Sequence, residues 1–82
     1  MQQELDIHVH IDEDEDQTLA FLELNLRGEH FEATGRAKRN PHDRPMPVIG
    51  EELAVARALG GLTAQMMEAA QSKIEQFLTT TY

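Results

Sequence analysis

The stretch His30-Phe31-Glu32-Ala33-Thr34-Gly35-Arg36-Ala37-Lys38 decides the fold. Side chains alternate across a strand with period two, and this stretch alternates with the same period. Phe31, Ala33, Gly35 and Ala37 therefore share one face, and His30, Glu32, Thr34, Arg36 and Lys38 share the other. After Phe31 the inward face is made only of small residues, which lets a helix lie close against it.

Upstream, Arg27-Gly28-Glu29-His30 reads as a tight turn in which Gly28 supplies the permissive backbone. Thr18 to Arg27 reads as the preceding strand, with Ala20, Leu22, Leu24 and Leu26 on one face. Its other face begins apolar too, at Leu19 and Phe21, a pattern expected where something such as another subunit packs on the second face. The five consecutive acids Asp12 to Asp16 repel one another and read as an exposed hairpin connection that also discourages edge pairing. Before them, Glu4 to Asp12 alternates: Leu5, Ile7, Val9 and Ile11 against Asp6, His8, His10 and Asp12. A strand with one buried face is expected there.

Downstream, Asn40 to Pro47 holds all three prolines, Pro41, Pro45 and Pro47. Each lacks an N–H and restricts the residue before it, so the segment reads as a stiff loop. A helix is expected to follow Ile49 or Gly50, with Glu51 and Glu52 in its first turn, where they complement the helix dipole. Gly60-Gly61 costs about 1 kcal/mol per glycine in a helix interior. Leu62, Met66, Ala69, Ala70, Ile74, Phe77 and Leu78 then resume a helical stripe. The expectation is one helix kinked near Gly60, or two consecutive helices, with a poor ending at Thr79 to Tyr82. The fold class is α+β, a three-stranded antiparallel sheet followed by helix, in a single domain over residues 1–82. The apolar surface left over points to a homodimer, intertwined through the helical end, since two-fold homodimers are the commonest oligomers.

Composition sets the outer limits. In 82 residues there is room for one small core. The absence of cysteine excludes disulfides, thiolate zinc sites and cysteine nucleophiles. No run is long and apolar enough to span a bilayer, and no apolar signal region follows Met1, so a cytoplasmic location without membrane contact is expected. The net charge of −8 is uneven: residues 1–34 sum to −9, 35–44 to +3 and 45–82 to −2. Four of the seven basic residues, Arg36, Lys38, Arg39 and Arg44, lie in the middle block. Such a patch either steers toward phosphate or is solvated surface whose bases pair with local acids.

Catalytic chemistry finds little footing. Ser72 is the only serine and has no histidine near it in sequence; there is no glycine-rich phosphate loop. Glu51 and Glu52 are adjacent and face different directions, so they are not an acid–base pair. His8 and His10 could chelate a transition metal if His30 or Glu32 completed the set, but no recognised ligand spacing is present. Asp12, Asp14, Asp16 and Glu23 imitate a calcium loop, yet Gln17 stands where that loop needs glycine. Neither a metal, a cofactor nor a small-molecule substrate is expected, and the chain reads as non-enzymatic. Arg57 is the isolated charge in an apolar helix; it reads as a buried ion pair with Asp43 or an acid of another subunit, against a ligand-facing role.

The run Gly35-x-Ala37-x-x-Asn40-Pro41-x-Asp43-Arg44, followed by Pro47-x-Ile49-Gly50-x-Glu52-Leu53-Ala54-x-Ala56-Arg57-Ala58-Leu59, resembles a small actinobacterial family catalogued as a domain of unknown function with a double-stranded-RNA-binding-domain-like fold. The motif covers about a third of the chain. Ala33 departs from it, at a position that is glycine in many members. The resemblance implies three strands followed by helix, a homodimer that exchanges elements, and a link to stress, dormancy and ribosome hibernation factors. It implies no catalytic residues. Gly35, Asn40, Pro41, Asp43, Gly50, Glu52 and Arg57 are then fold determinants or part of a binding surface. The expected function is a stress-associated homodimer that binds the ribosome or structured RNA through Arg36, Lys38, Arg39 and Arg44. The alternative is a protein-interaction or structural module with no nucleic-acid binding, and a lesser one is a small-molecule or metal sensor at His8, His10 or the dimer seam.

Overall fold

A missing side chain at residue 35 sets how near the helix comes to the sheet. The computed structural model describes residues 1–81, with side chains to Leu78. Its elements are β1 (His8–Glu13), β2 (Gln17–Leu26), β3 (Glu29–Lys38) and α1 (Pro47–Thr81). The strands form one antiparallel sheet in the order β1-β2-β3. α1 crosses one face, above β2 and β3. A Cβ on Gly35 would collide with the Ala54 carbonyl and sit 2.5 Å from the Ala58 amide nitrogen. The helix backbone therefore rests directly on β3, as the small face of that strand leads one to expect.

The core follows from this contact. Ala20, Leu22, Leu24, Phe31 and Ala37 of the sheet meet Ala54, Ala58 and Leu62 of α1. Leu22 is the one large side chain fully buried among the described residues. Val55, Met66, Ala69, Leu26 and Ala33 pack around this centre. The helix runs back along β3: Gly50 lies against Thr18 beside the end of that strand, Gly61 faces Ala33, and Lys73 ion-pairs with Glu29 at its start.

The β2–β3 connection is a two-residue turn. Arg27 and Gly28 both take positive φ, 50° and 85°. That combination matches the twist of a hairpin, and the strain of the non-glycine position is the cost of its tightness.

Two expectations need correction. The helix begins at Pro47, rather than after Ile49 or Gly50: the Met46 carbonyl accepts from the amides of Ile49 and Gly50, and proline suits the first helical position because its missing N–H would be unused there. Glu51 and Glu52 consequently fall in the second turn. Of the two helical readings, the structure takes the single helix: α1 is one element of 35 residues that passes through Gly60-Gly61. Tertiary contact outweighs the glycine cost: Gly61 has only 3.3 Å between its would-be Cβ and that of Ala33, so bareness serves packing there. At about 1.5 Å per residue the helix is about 52 Å long, against a molecular length of 60 Å, and it outreaches the sheet. α1 runs through Thr81, inside the stretch expected to end it, and Tyr82 lies outside the described residues.

The second correction concerns β1. It starts at His8 rather than Glu4, and none of its residues is buried. Val9 and Ile11 do lie on the helix side of the sheet, but they, like Leu5 and Ile7 before them, are 40–48% exposed, because α1 covers β2 and β3 and stops short of β1. Ile74, Phe77 and Leu78 at the far end of the helix are exposed as well.

Gly35→Ala forces the helix off β3 and should cost about 2–3 kcal/mol or more. Gly60→Ala, with nothing within 4 Å of the added methyl, should raise stability by about 1 kcal/mol. Urea denaturation of the two variants against the parent chain reads both values.

Candidate functional site

The face of the sheet turned away from α1 has nothing packed over it among the described residues. Cross-strand register places its side chains in rows: Asp12, Leu19, Arg36; His10, Phe21, Thr34; His8, Glu23, Glu32; and, at the hairpin end, Gln17 beside Lys38. Leu19 and Phe21 are half-buried in the middle. Arg36 and Lys38 stand exposed on the outer strand, followed at once by the proline loop with Arg44.

The four bases of this region divide into two kinds. Arg39 is half-buried and fully engaged. Its Nε donates to the Glu15 carbonyl at 2.8 Å, its Nη1 to the Asp43 carbonyl at 3.0 Å, and its backbone N–H to the Asp16 carbonyl at 2.9 Å. It staples the proline loop to the acidic hairpin. That hairpin is itself closed by Asp14, whose Oδ1 accepts from the amides of Asp16 and Gln17. Arg36, Lys38 and Arg44 make no ion pair among the described residues, where the pairs are His30 with Glu32 and Lys73 with Glu29. The expectation that the bases of this stretch neutralise local acids therefore does not hold for these three.

The motif residues sort in the same way. Asn40 accepts from the His42 amide through Oδ1 and from the Asp43 amide through its carbonyl, so it shapes the turn that presents Arg44. Asp43 contributes its backbone carbonyl to Arg39 rather than a carboxylate to Arg57. Pro41 lies in the same turn. A Cβ at Gly50 would meet Thr18 Oγ1 at 2.8 Å, so glycine there lets the first turns of α1 reach the sheet. Glu52 is exposed and borders a shallow apolar hollow with Val55 and Leu59. A cleft of about 580 Å³ separates the hairpin from the proline loop. Lys38 and Arg44 rim it on one side and Glu13, Asp14 and Glu15 on the other.

Arg57 departs from expectation. It is exposed, and its Nη1 donates to the Arg36 carbonyl at 2.7 Å. Two turns on, Gln65 Nε2 donates to the Glu32 carbonyl at 2.6 Å. Together they cap two carbonyls on the outer edge of β3 that would otherwise be open to another strand. Gln65 carried no sequence signal for this role, since a polar residue on an exposed helix side is ordinary. His30 lies 2.9 Å from Asn25 Oδ1 and 3.0 Å from Glu32 Oε2, across β2 from His8 and His10. Among the described residues no group of three His, Asp or Glu side chains is arranged to hold a metal ion. Among them, too, no helix is long and apolar enough to cross a membrane.

A family model described as Rv2632c-like matches residues 3–82. The uncharacterized protein MT1780 of Mycobacterium tuberculosis (strain CDC 1551 / Oshkosh) is 41% identical over 58 residues, which are 71% of this chain and 62% of that protein. The uncharacterized protein Rv2632c of Mycobacterium tuberculosis (strain ATCC 25618 / H37Rv) is 39% identical over 59 residues, 72% of this chain and 63% of that one. The matched stretch thus spans less than two thirds of either relative. The crystal structure of Rv2632c superposes with a TM-score of 0.87 at 36% identity, covering 93% of this chain and 90% of the other.

The division of the arginines is measurable. Arg39→Ala and Arg57→Ala should each cost about 1–2 kcal/mol, the value of hydrogen bonds from a charged donor at partly exposed sites. Arg36→Ala and Arg44→Ala should stay within about 0.5 kcal/mol of the parent. Thermal or urea unfolding of the four variants checks the split.

Proposed function

The chain belongs to the Rv2632c-like family, and from that premise we propose that it is a non-enzymatic, homodimeric protein of the cytoplasm that binds structured RNA, such as an exposed ribosomal surface. Arg36, Lys38 and Arg44 make the contact, on phosphate. The observation that carries this reading is that none of the three forms an ion pair among the described residues, in a chain whose net charge is −8. Fifteen acids are present, and these three cations pair with none of them there. Free cations on an anionic protein favour an anionic partner, and a phosphate backbone supplies closely spaced negative charge. Arg39 is withdrawn from the contact surface and acts by holding the loop. The dimer follows from the apolar row of β1, which one copy leaves exposed. Stress and dormancy, as the setting, rest on the motif resemblance.

Purified protein is titrated into a fluorescent ribosomal RNA hairpin between 50 and 200 mM salt. With three phosphates neutralised per copy, affinity should fall by about 20- to 40-fold over that range. Arg36→Glu, Lys38→Glu and Arg44→Glu combined should abolish binding and leave the oligomeric state unchanged. Binding that survives the triple change, or no binding by the parent chain, overturns the RNA reading in favour of a protein-interaction module.

A further inference from the structure

The two edges of the sheet are treated differently. β3 is partly covered by Arg57 and Gln65, which donate to the outward carbonyls of Arg36 and Glu32. Among the described residues no helix or loop group reaches the outer edge of β1, and all of its residues are exposed. An edge left open and apolar is a site for strand addition.

Backbone direction along this edge follows from the same two bonds. The carbonyls of Glu32 and Arg36 point outward, so the alternate residues Ala33, Gly35 and Ala37 bond to Leu22, Ala20 and Thr18 of β2. Leu19, Phe21 and Glu23 then turn toward β1 and meet Asp12, His10 and His8. What remains for the free edge is the backbone of Val9 and Ile11. Continuing the register adds Ile7 and Leu5, which lie beyond the last β1–β2 pair although β2 runs on to Leu26. Gln3 Oε1 accepts from Arg27 Nη2, so this segment already lies near the end of β2. The residues with free backbone groups are thus the four whose apolar side chains are exposed.

We infer that the second copy of the homodimer proposed above adds to this edge, β1 against β1, antiparallel about a two-fold axis through His8. The sequence Leu5-Asp6-Ile7-His8-Val9-His10-Ile11 is its own complement in that register. Ile7 faces the partner's Val9, Leu5 faces the partner's Ile11, and His8 faces the partner's His8. On the open face Asp6 stands opposite the partner's His10, an attractive pair on each side of the axis. Centring the axis one residue later sets Asp6 against the partner's Asp12 and Leu5 against the partner's Glu13. Centring it one residue earlier sets Ile11 against the partner's Gln3. The register about His8 alone covers the whole apolar row. It produces one six-stranded sheet with both helices on one face. The two cationic patches then share the other face, on strands about 24 Å apart at about 4.8 Å per strand step.

This geometry rests on the homodimer reading and is separable from it. The chain has no cysteine, so His8→Cys carries a single thiol. A non-hydrogen-bonded antiparallel pair brings Cα atoms to about 4.5 Å, within disulfide range. Mild oxidation should convert most of His8→Cys to a reductant-sensitive covalent dimer, with Arg36→Cys staying uncrosslinked. Asp6→Cys mixed with His10→Cys should also crosslink, and neither should do so alone. Sedimentation velocity on the parent chain gives the second readout. A dimer there with no His8→Cys crosslink overturns this seam and leaves the homodimer standing. A monomer at all concentrations overturns both.

Discussion

The contact of the α1 backbone with β3 at Gly35 governs the rest of the molecule. A helix that rests on a strand through Ala54 and Ala58 is held close, and its lateral position is set by where the small residues lie. They lie on β3. The helix is therefore drawn to one side of a three-stranded sheet. It covers β2 and β3 with a core of small residues around Leu22, and it leaves the apolar row of β1 beyond its reach. Exposure of that row follows from the same contact as burial of the core.

The position of the helix also settles the chemistry of the edges and of the arginines. Lying over β3, α1 can send Arg57 and Gln65 to its outer carbonyls, and it does so at 2.7 and 2.6 Å. The opposite edge receives no such cover among the described residues. The N-terminal end of α1 is tethered by the proline loop, which Arg39 fastens to the hairpin through three backbone carbonyls. With Arg39 held by carbonyls, the bases of residues 35–44 that face solvent are Arg36, Lys38 and Arg44. Their freedom is a consequence of strand alternation and loop geometry, while the acids of the hairpin satisfy one another's neighbouring amides.

Strand alternation made most of this fold legible before any coordinates. The second and third strands agree with expectation to within a residue at each end, as does the glycine turn between them. The small face of residues 33–37 announced a close helix. What misled was local energetics read without a partner surface. Two adjacent glycines leave one kinked helix and two helices equally open along the chain; α1 is continuous, and Gly61 improves the fit against Ala33. A proline at 47 suggests loop, but at the first helical position it costs no hydrogen bond. An arginine among alanines suggests a buried charge, yet its length carries the guanidinium to the β3 edge.

The sequence by itself determined the elements, because period-two alternation and helical stripes are properties of neighbouring residues and need no tertiary partner. It also determined where the charge reverses. It did not determine which apolar face is covered. β1 has as good an alternating pattern as β2, and only the lateral placement of α1 leaves one buried and the other bare. Nor did it separate Arg39 from Arg36, Lys38 and Arg44, since four bases within nine positions read alike until the backbone brings carbonyls to one of them. Burial and hydrogen bonding depend on what lies across space: Arg39 meets Glu15, Arg57 meets Arg36 and Gln65 meets Glu32 at separations of 24, 21 and 33 residues along the chain.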